Sequence, residues 1–399
     1  MNGANGTEAS TEEPLPRWKE ELRSFSPSWF VTTMGTGASA TLLQRLPYNG
    51  AWLYWLSVIV FAFNVLLFSA VSLLFLARFA MFPAQWRVLR TDCERAWFLG
   101  AIGIGFAGIV NMFALVCVPA WGSWAATMAW VMWMVSAVIG MAAAILVPSW
   151  IISSGKQRGA AVKSVQVMPF GAPLAAAVSG ALVASVLPNP RHALWTIVTS
   201  YALWGAGMLM TVMFLSSWYH SLLQRGLPPL PDLPTIILPI APICLGSYSI
   251  LRLGSAAATV FPETDFLHHP AFGHVANEVG ILVALGLWGW SLLWISTVTG
   301  CLLSAGGRIP FTISWWEMTF PPAMMALTTI EFGVEFSAQF FSVLGTIFAV
   351  AEILVWLFVS LATIRGVANG RLLHHHTRGS AREGERSRPD GSRKRDEEA

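Results

Sequence analysis

Four ionisable residues stand inside stretches that are otherwise apolar: Arg252, Glu278, Glu317 and Glu352. Glu331 and Glu335 flank the far end of the stretch that Glu317 opens. A charge in hydrocarbon is costly unless it is paired or hydrated, so each of these is a functional candidate. An arginine near a pore mouth draws anions toward it. A buried carboxylate can take up and release a proton, which makes Glu278 and Glu317 candidates for proton coupling. The alternatives are an Arg252 that snorkels to the interface and glutamates paired with backbone or with each other. The acidic, histidine and cysteine residues within these stretches repeat no metal-ligand spacing, and no phosphate-binding loop occurs. A metalloenzyme and an ATP-driven pump are therefore not indicated, no cofactor is expected, and energy would have to come from gradients.

The stretch Ser314-Trp315-Trp316-Glu317-Met318-Thr319-Phe320-Pro321-Pro322 is the most distinctive in the chain. The tryptophan pair fits an interfacial anchor. Phe320 precedes a proline that opens the backbone. Its ring could close a narrow pore by moving or by dewetting, or it could be an ordinary packed phenylalanine; spacing alone favours the second.

These residues are positioned by a chain of 399 residues with 20 tryptophans, 55% hydrophobic and only 11% charged residues, and a mean hydropathy of +0.59. Soluble domains carry about a quarter charged residues, so a cytosolic enzyme or a nucleic-acid binder is excluded. The apolar segments fall at 26–45, 51–79, 97–118, 122–147, 168–187, 193–220, 233–254, 273–301, 312–331 and 340–364. Strict alternation of polar and apolar residues is absent, so these are helices and the chain reads as an all-α polytopic membrane protein with ten spans. Twenty-one of the 24 lysines and arginines fall on the side of the N-terminus, which predicts cytoplasmic N- and C-termini. The expected division is a cytoplasmic tail at 1–24, a transport domain at 25–366 and a charged, disordered tail at 367–399. The sequon at Asn5 should then never meet a glycosyltransferase, and His374, His375 and His376 suggest a metal tract only weakly. Cys93, Cys117, Cys244 and Cys301 read as free thiols.

Odd and even spans differ in their helix breakers. The odd ones hold Gly35 and Gly37, then Gly100, Gly103, Gly105 and Gly108, then Gly171, Pro173 and Gly180, then Pro239, Pro242 and Gly246, then Pro321 and Pro322. The even spans, bounded as above, hold no interior proline. Backbone groups freed by such breaks must be satisfied by protein or by a water-lined cavity. The odd spans are thus expected to line a central pathway and the even ones to face lipid, as a hairpin used five times. Close packing of small residues is the competing explanation. Half-helix N-termini at such breaks favour anions without fixed cations.

Trp315-Trp-x-x-Thr-Phe-Pro321 resembles the ninth-span motif of the tellurite-resistance/dicarboxylate transporter family, which includes the plant slow anion channels. Four more segments resemble its fungal sulfite efflux branch: Phe25-Ser-Pro-Ser-Trp-Phe-x-x-Thr-Met-Gly-Thr-Gly37, Phe98-Leu-Gly-x-x-x-x-Gly-Phe-Ala-x-Ile-Val-Asn111, Pro242-x-x-x-Gly-Ser247 and Phe340-Phe-x-Val-Leu-Gly-Thr-Ile347. The resemblance implies five hairpins around a central pore with odd helices inside, commonly as a homotrimer in the plasma membrane. It implies export of sulfite or bisulfite, with proton coupling an open part of that expectation, and makes Phe320 the pore gate. The pathway residues expected on these combined grounds are Gly35, Gly37, Gly105, Pro173, Pro242, Gly246, Ser247, Arg252, Thr319 and Pro321. A passive chloride or nitrate channel of the same fold is the alternative. The Arg-Pro-Gly-Met-Phe segment typical of the malate branch is absent, which argues against a dicarboxylate.

Overall fold

The computed structural model describes residues 16–156, 161–269, 271–304 and 309–369. The two tails, with Asn5 and the three tail histidines, lie outside the described residues, as do Arg158 and Arg308. Among the described residues the regular structure is entirely helical. Eight segments are long and apolar enough to cross a membrane. Two further helices, Phe30–Arg45 and Phe320–Glu335, have 16 residues each, about 24 Å at 1.5 Å per residue. Both are lengthened by a 3-10 segment at their start, Pro27–Trp29 and Ile313–Met318.

In chain order the ten principal helices are Phe30–Arg45, Ala51–Met81, Gly100–Met112, Ser123–Ser154, Met168–Ala184, Pro190–Arg225, Ile240–Glu263, Phe272–Ser304, Phe320–Glu335 and Gln339–Ala368, referred to below as the first to tenth. The odd helices touch one another in a closed order: first to third, third to fifth, fifth to seventh, seventh to ninth, and ninth back to first. Each even helix packs on the odd helix that precedes it in sequence. Burial follows the same division. The most apolar stretch of the fifth span is fully buried and that of the seventh is 94% buried, against 17% for the second and 22% for the eighth. The large exposed side chains of the even helices, such as Trp52, Leu66, Leu209, Leu282 and Leu354, form the apolar jacket a bilayer requires.

The inner ring closes because small residues let backbones meet. Gly37 faces Gly108, with a Cβ there 3.6 Å from the Gly108 Cα, an ordinary contact, and 2.9 Å from Asn64 Nδ2 of the second helix. At Gly100 it would lie 2.4 Å from the carbonyl carbon of Met168. Backbone cannot give way there, so Gly100→Ala forces the third and fifth helices apart. We expect it to cost about 1–3 kcal/mol, read as a lowered melting temperature of the detergent-solubilised protein; an unchanged melting temperature would mean the contact is not made.

The tryptophans have a second task beside interfacial anchoring. Trp133, Trp204, Trp288 and Trp356 lie on the fourth, sixth, eighth and tenth helices. Each indole N–H donates to the next odd helix: to the Ala176 carbonyl at 3.0 Å, the Gly246 carbonyl at 2.8 Å, Thr329 Oγ1 at 2.9 Å and Thr36 Oγ1 at 3.2 Å. Outer helices are thereby pinned to backbone or side-chain acceptors of inner ones, which satisfies each indole N–H where hydrocarbon offers no other partner. One expectation about the even spans needs correcting. The fourth helix runs past 147 to Ser154 and contains Pro148, so an even helix does carry an interior proline. All four cysteines are free thiols.

Candidate functional site

Two cavities lie on the axis of the inner ring, and every odd helix lines both. One is bounded by Met34, Gly37, Thr41, Ile104, Asn111, Val178, Leu245, Tyr248, Phe320 and Leu327, among others, and holds about 380 Å³ of empty space including its open mouth. The second is bounded by Met34, Ile104, Met168, Gly171, Ala241, Pro242, Leu245 and Phe320 with two neighbours, and spans about 250 Å³ of empty space, open solvent at its mouth included. The residues common to both are Met34, Ile104, Leu245 and Phe320. These four apolar side chains, one from each of four inner helices, form the partition between the cavities.

Phe320 is 5% exposed and is the first residue of the ninth helix. The helix starts there because Pro321 and Pro322 lack N–H groups, and the first turn is where none is needed. Pro321 therefore opens the helix and does not break it, which corrects the expectation of an opened backbone. The preceding 3-10 turn is tied down at both tryptophans. Trp316 donates to Thr363 Oγ1 of the tenth helix at 2.8 Å, and Trp315 to the Pro310 carbonyl at 3.0 Å. Trp316 is 4% exposed, so it is a buried strut and not an interfacial anchor.

The second cavity is bordered by the opening turns of three helices: Met168 and Gly171 of the fifth, Ala241 and Pro242 of the seventh, and Phe320 of the ninth. Each follows a 3-10 turn and holds a proline in its first turn, so few free N–H groups remain, and what reaches the cavity is the partial positive charge of the helix starts. Three of them converging on one apolar-walled space favour an anion without any fixed cation.

Of the predicted pathway residues, Gly37 lines the first cavity, Pro242 the second and Phe320 both. The others face neighbouring helices. A Cβ at Gly35 would fall on Thr319 Oγ1, at Gly105 on Thr33 Oγ1, and at Gly246 on Met208 Sδ; Thr319 Oγ1 itself donates to the Trp316 carbonyl at 2.7 Å. Pro173 faces Gly207 of the sixth helix, and Ser247 donates to the Ala284 carbonyl of the eighth at 2.7 Å. For these positions close packing, the competing explanation, is what the contacts describe. Arg252 is corrected too. Its Nη1 lies 2.5 Å from Glu331 Oε1 on the ninth helix, so its charge is spent on a partner.

The carboxylates separate sharply. Glu278 is exposed near the start of the eighth helix and reaches neither cavity. Glu317 is 2% exposed, three residues before Phe320, and its Oε2 has no hydrogen-bond partner. Glu352, on a nominally outer helix, is 1% exposed and bonded to Ser39 of the first helix at 2.9 Å. Ser39 is also 2.9 Å from the Gly35 carbonyl, and one hydroxyl proton cannot serve both acceptors.

Two residues that line the first cavity were given no role by sequence, although Asn111 closes one of the resemblance motifs. Asn111 Oδ1 and the Tyr248 hydroxyl are buried with no hydrogen-bond partner. The signal available was a polar side chain within a glycine-rich or broken span.

Residues 24–364 match the SLAC1 family, described as a voltage-dependent anion channel. The chain is 33% identical over 343 residues to the sulfite efflux pump SSU1 of Arthroderma otae, covering 86% of this chain and 91% of that protein. It is 25% identical over 369 residues to SSU1 of Candida albicans, at 87% and 75% coverage. A malic acid transport protein of Schizosaccharomyces pombe is more distant, at 20% over 355 residues, with 87% and 79% coverage. The chain belongs to the SLAC1 voltage-dependent anion channel family, and is a membrane transport protein and not an enzyme.

Proposed function

We propose that this protein exports sulfite or bisulfite across the plasma membrane through the axis of its inner helices, with Phe320 as the gate. The observation that carries the reading is the pair of axial cavities sharing one apolar partition. The converging helix N-termini support an anionic cargo, and relatives named as sulfite efflux pumps support the choice of anion. In this reading all ten helices span the bilayer, as five hairpins with cytoplasmic termini. The basic-residue bias supports that orientation. The domain is 25–366 between cytoplasmic tails at 1–24 and 367–399, and a homotrimer with one pathway per subunit rests on the family resemblance. Gly37 and Pro242 line the path, while Gly35, Gly105, Pro173, Gly246, Ser247, Thr319 and Pro321 hold its walls.

The test is anion flux in proteoliposomes, with sulfite as the measured ion and chloride, nitrate and malate as competitors. Sulfite flux that resists a tenfold excess of chloride or nitrate supports the export reading. Equal competition among small anions would make the protein a passive chloride or nitrate channel of the same fold.

Proton coupling is assigned to Glu317, which adjoins the gate and has an unpartnered carboxylate oxygen, in preference to Glu278, which is exposed and lines neither cavity. Replacing Glu317 by Gln keeps the shape and removes the titratable group. We expect Glu317→Gln to abolish the response of sulfite flux to an imposed pH gradient while leaving downhill flux in place. A retained pH response would move the role to Glu352 or out of the protein.

A further inference from the structure

The first cavity contains an unexplained pair of polar atoms. Tyr248 is 1% exposed, lines the cavity from the seventh helix, and its hydroxyl has no partner. Asn111 lines it from the third helix, and its Oδ1 has none. A buried polar group left unsatisfied costs about 1–3 kcal/mol, and such groups in folded proteins ordinarily point to a missing water or ligand. The two residues line one cavity from different helices, so one molecule held there is a partner both can share after a small side-chain adjustment.

The chemistry of the pair narrows the ligand. A tyrosine hydroxyl donates one hydrogen bond and an amide nitrogen two, and the carboxamide can turn its nitrogen inward, since the two orientations have the same shape. Thr41, also in the wall, donates its hydroxyl to the Gly37 carbonyl at 2.9 Å, so its oxygen retains accepting capacity for a protonated ligand. The remaining wall is apolar or glycine. The third helix loosens into a π turn at Phe113–Cys117 immediately after Asn111, an irregularity that often accompanies functional sites.

We propose that Tyr248 and Asn111 form an oxyanion-binding subsite on the far side of Phe320 from the helix N-termini, where a small oxyanion such as sulfite rests after passing the gate. The inference rests on the transport reading for its cargo and adds a place and two donors to it. A cargo of several oxygens spans donors from two helices. A halide takes one donor at a time and gains less.

Sulfite binding by the purified full-length protein is measured in detergent by ligand-induced thermal stabilisation, for the wild type, Tyr248→Phe and Asn111→Leu, with chloride as comparison. Sulfite flux of the same proteins is followed in liposomes. Each variant should weaken sulfite binding about tenfold, within the range for one hydrogen bond to an ion, and chloride binding less than twofold. Tyr248→Phe removes an oxygen that has no protein partner, so its melting temperature without ligand should not fall. A fall would mean a structural bond and overturn the subsite. Sulfite binding that is absent in the wild type, or unchanged in Tyr248→Phe, would overturn it equally, leaving water as the partner of both groups. Sulfite binding weakened by the variants in a protein that shows no flux would support the subsite and sink the transport reading.

Discussion

Replacing Phe320 by alanine is expected to raise downhill anion flux at least tenfold. The ring is the largest of the four side chains shared by the two cavities, so removing it should join them through their apolar partition. Apolar constrictions block ions by dewetting, and the block falls steeply as they widen. Phenylalanine-to-alanine changes in closed cores cost about 3–5 kcal/mol, much of it from the void left behind. Here the vacated space adjoins two existing cavities and can fill with water, so the loss of stability should lie below that range. Leu327→Ala is the control. Leu327 lines only the first cavity, and its truncation should leave flux within about twofold of wild type. If Phe320→Ala conducts no better than Leu327→Ala, Phe320 is a packing residue.

The second large effect concerns stability. The Arg252 and Glu331 side chains are 17% and 6% exposed and form one ion pair between the seventh and ninth helices. Removing one member of a buried pair leaves an uncompensated charge and costs about 3–5 kcal/mol, whereas removing both can be close to neutral. Arg252→Gln should therefore lower the melting temperature sharply, and adding Glu331→Gln should restore most of it. Sulfite affinity should be unchanged in the double variant, because Arg252 lines neither cavity. A double variant that melts normally but binds sulfite several-fold more weakly would return Arg252 to the pathway.

Much of this arrangement could be read from the chain. The concentration of glycine and proline in alternate spans identified the helices that form the inner ring, because only backbone with small residues can approach so closely. Individual residues were harder to assign. Gly35 and Gly37 are two positions apart and look alike in sequence, yet a helix turns about 200° between them. One meets Thr319 and the other borders the cavity. Helical phase relative to neighbours is a tertiary property. The partner of Arg252 lies 79 residues away, and nothing in local spacing distinguishes Glu331 from Glu335 as its counter-ion. Trp133, Trp204, Trp288 and Trp356 share one bonding role that is invisible while tryptophan is read only as an interfacial residue. Pro321 misled because proline breaks a helix interior but begins a helix well, and the boundary at Phe320 decides between the two.

The central claim is that Phe320 divides one axial path into two compartments that open to opposite sides of the membrane. Sided labelling tests it most directly. In a background without Cys93, Cys117, Cys244 and Cys301, single substitutions Leu327→Cys and Ala241→Cys place a thiol in the first and the second cavity respectively. A membrane-impermeant anionic thiol reagent applied outside intact cells should label Leu327→Cys and spare Ala241→Cys. Adding Phe320→Ala should expose Ala241→Cys to the same reagent. Labelling of Ala241→Cys from outside while Phe320 is intact, or protection that persists after Phe320→Ala, would contradict the account.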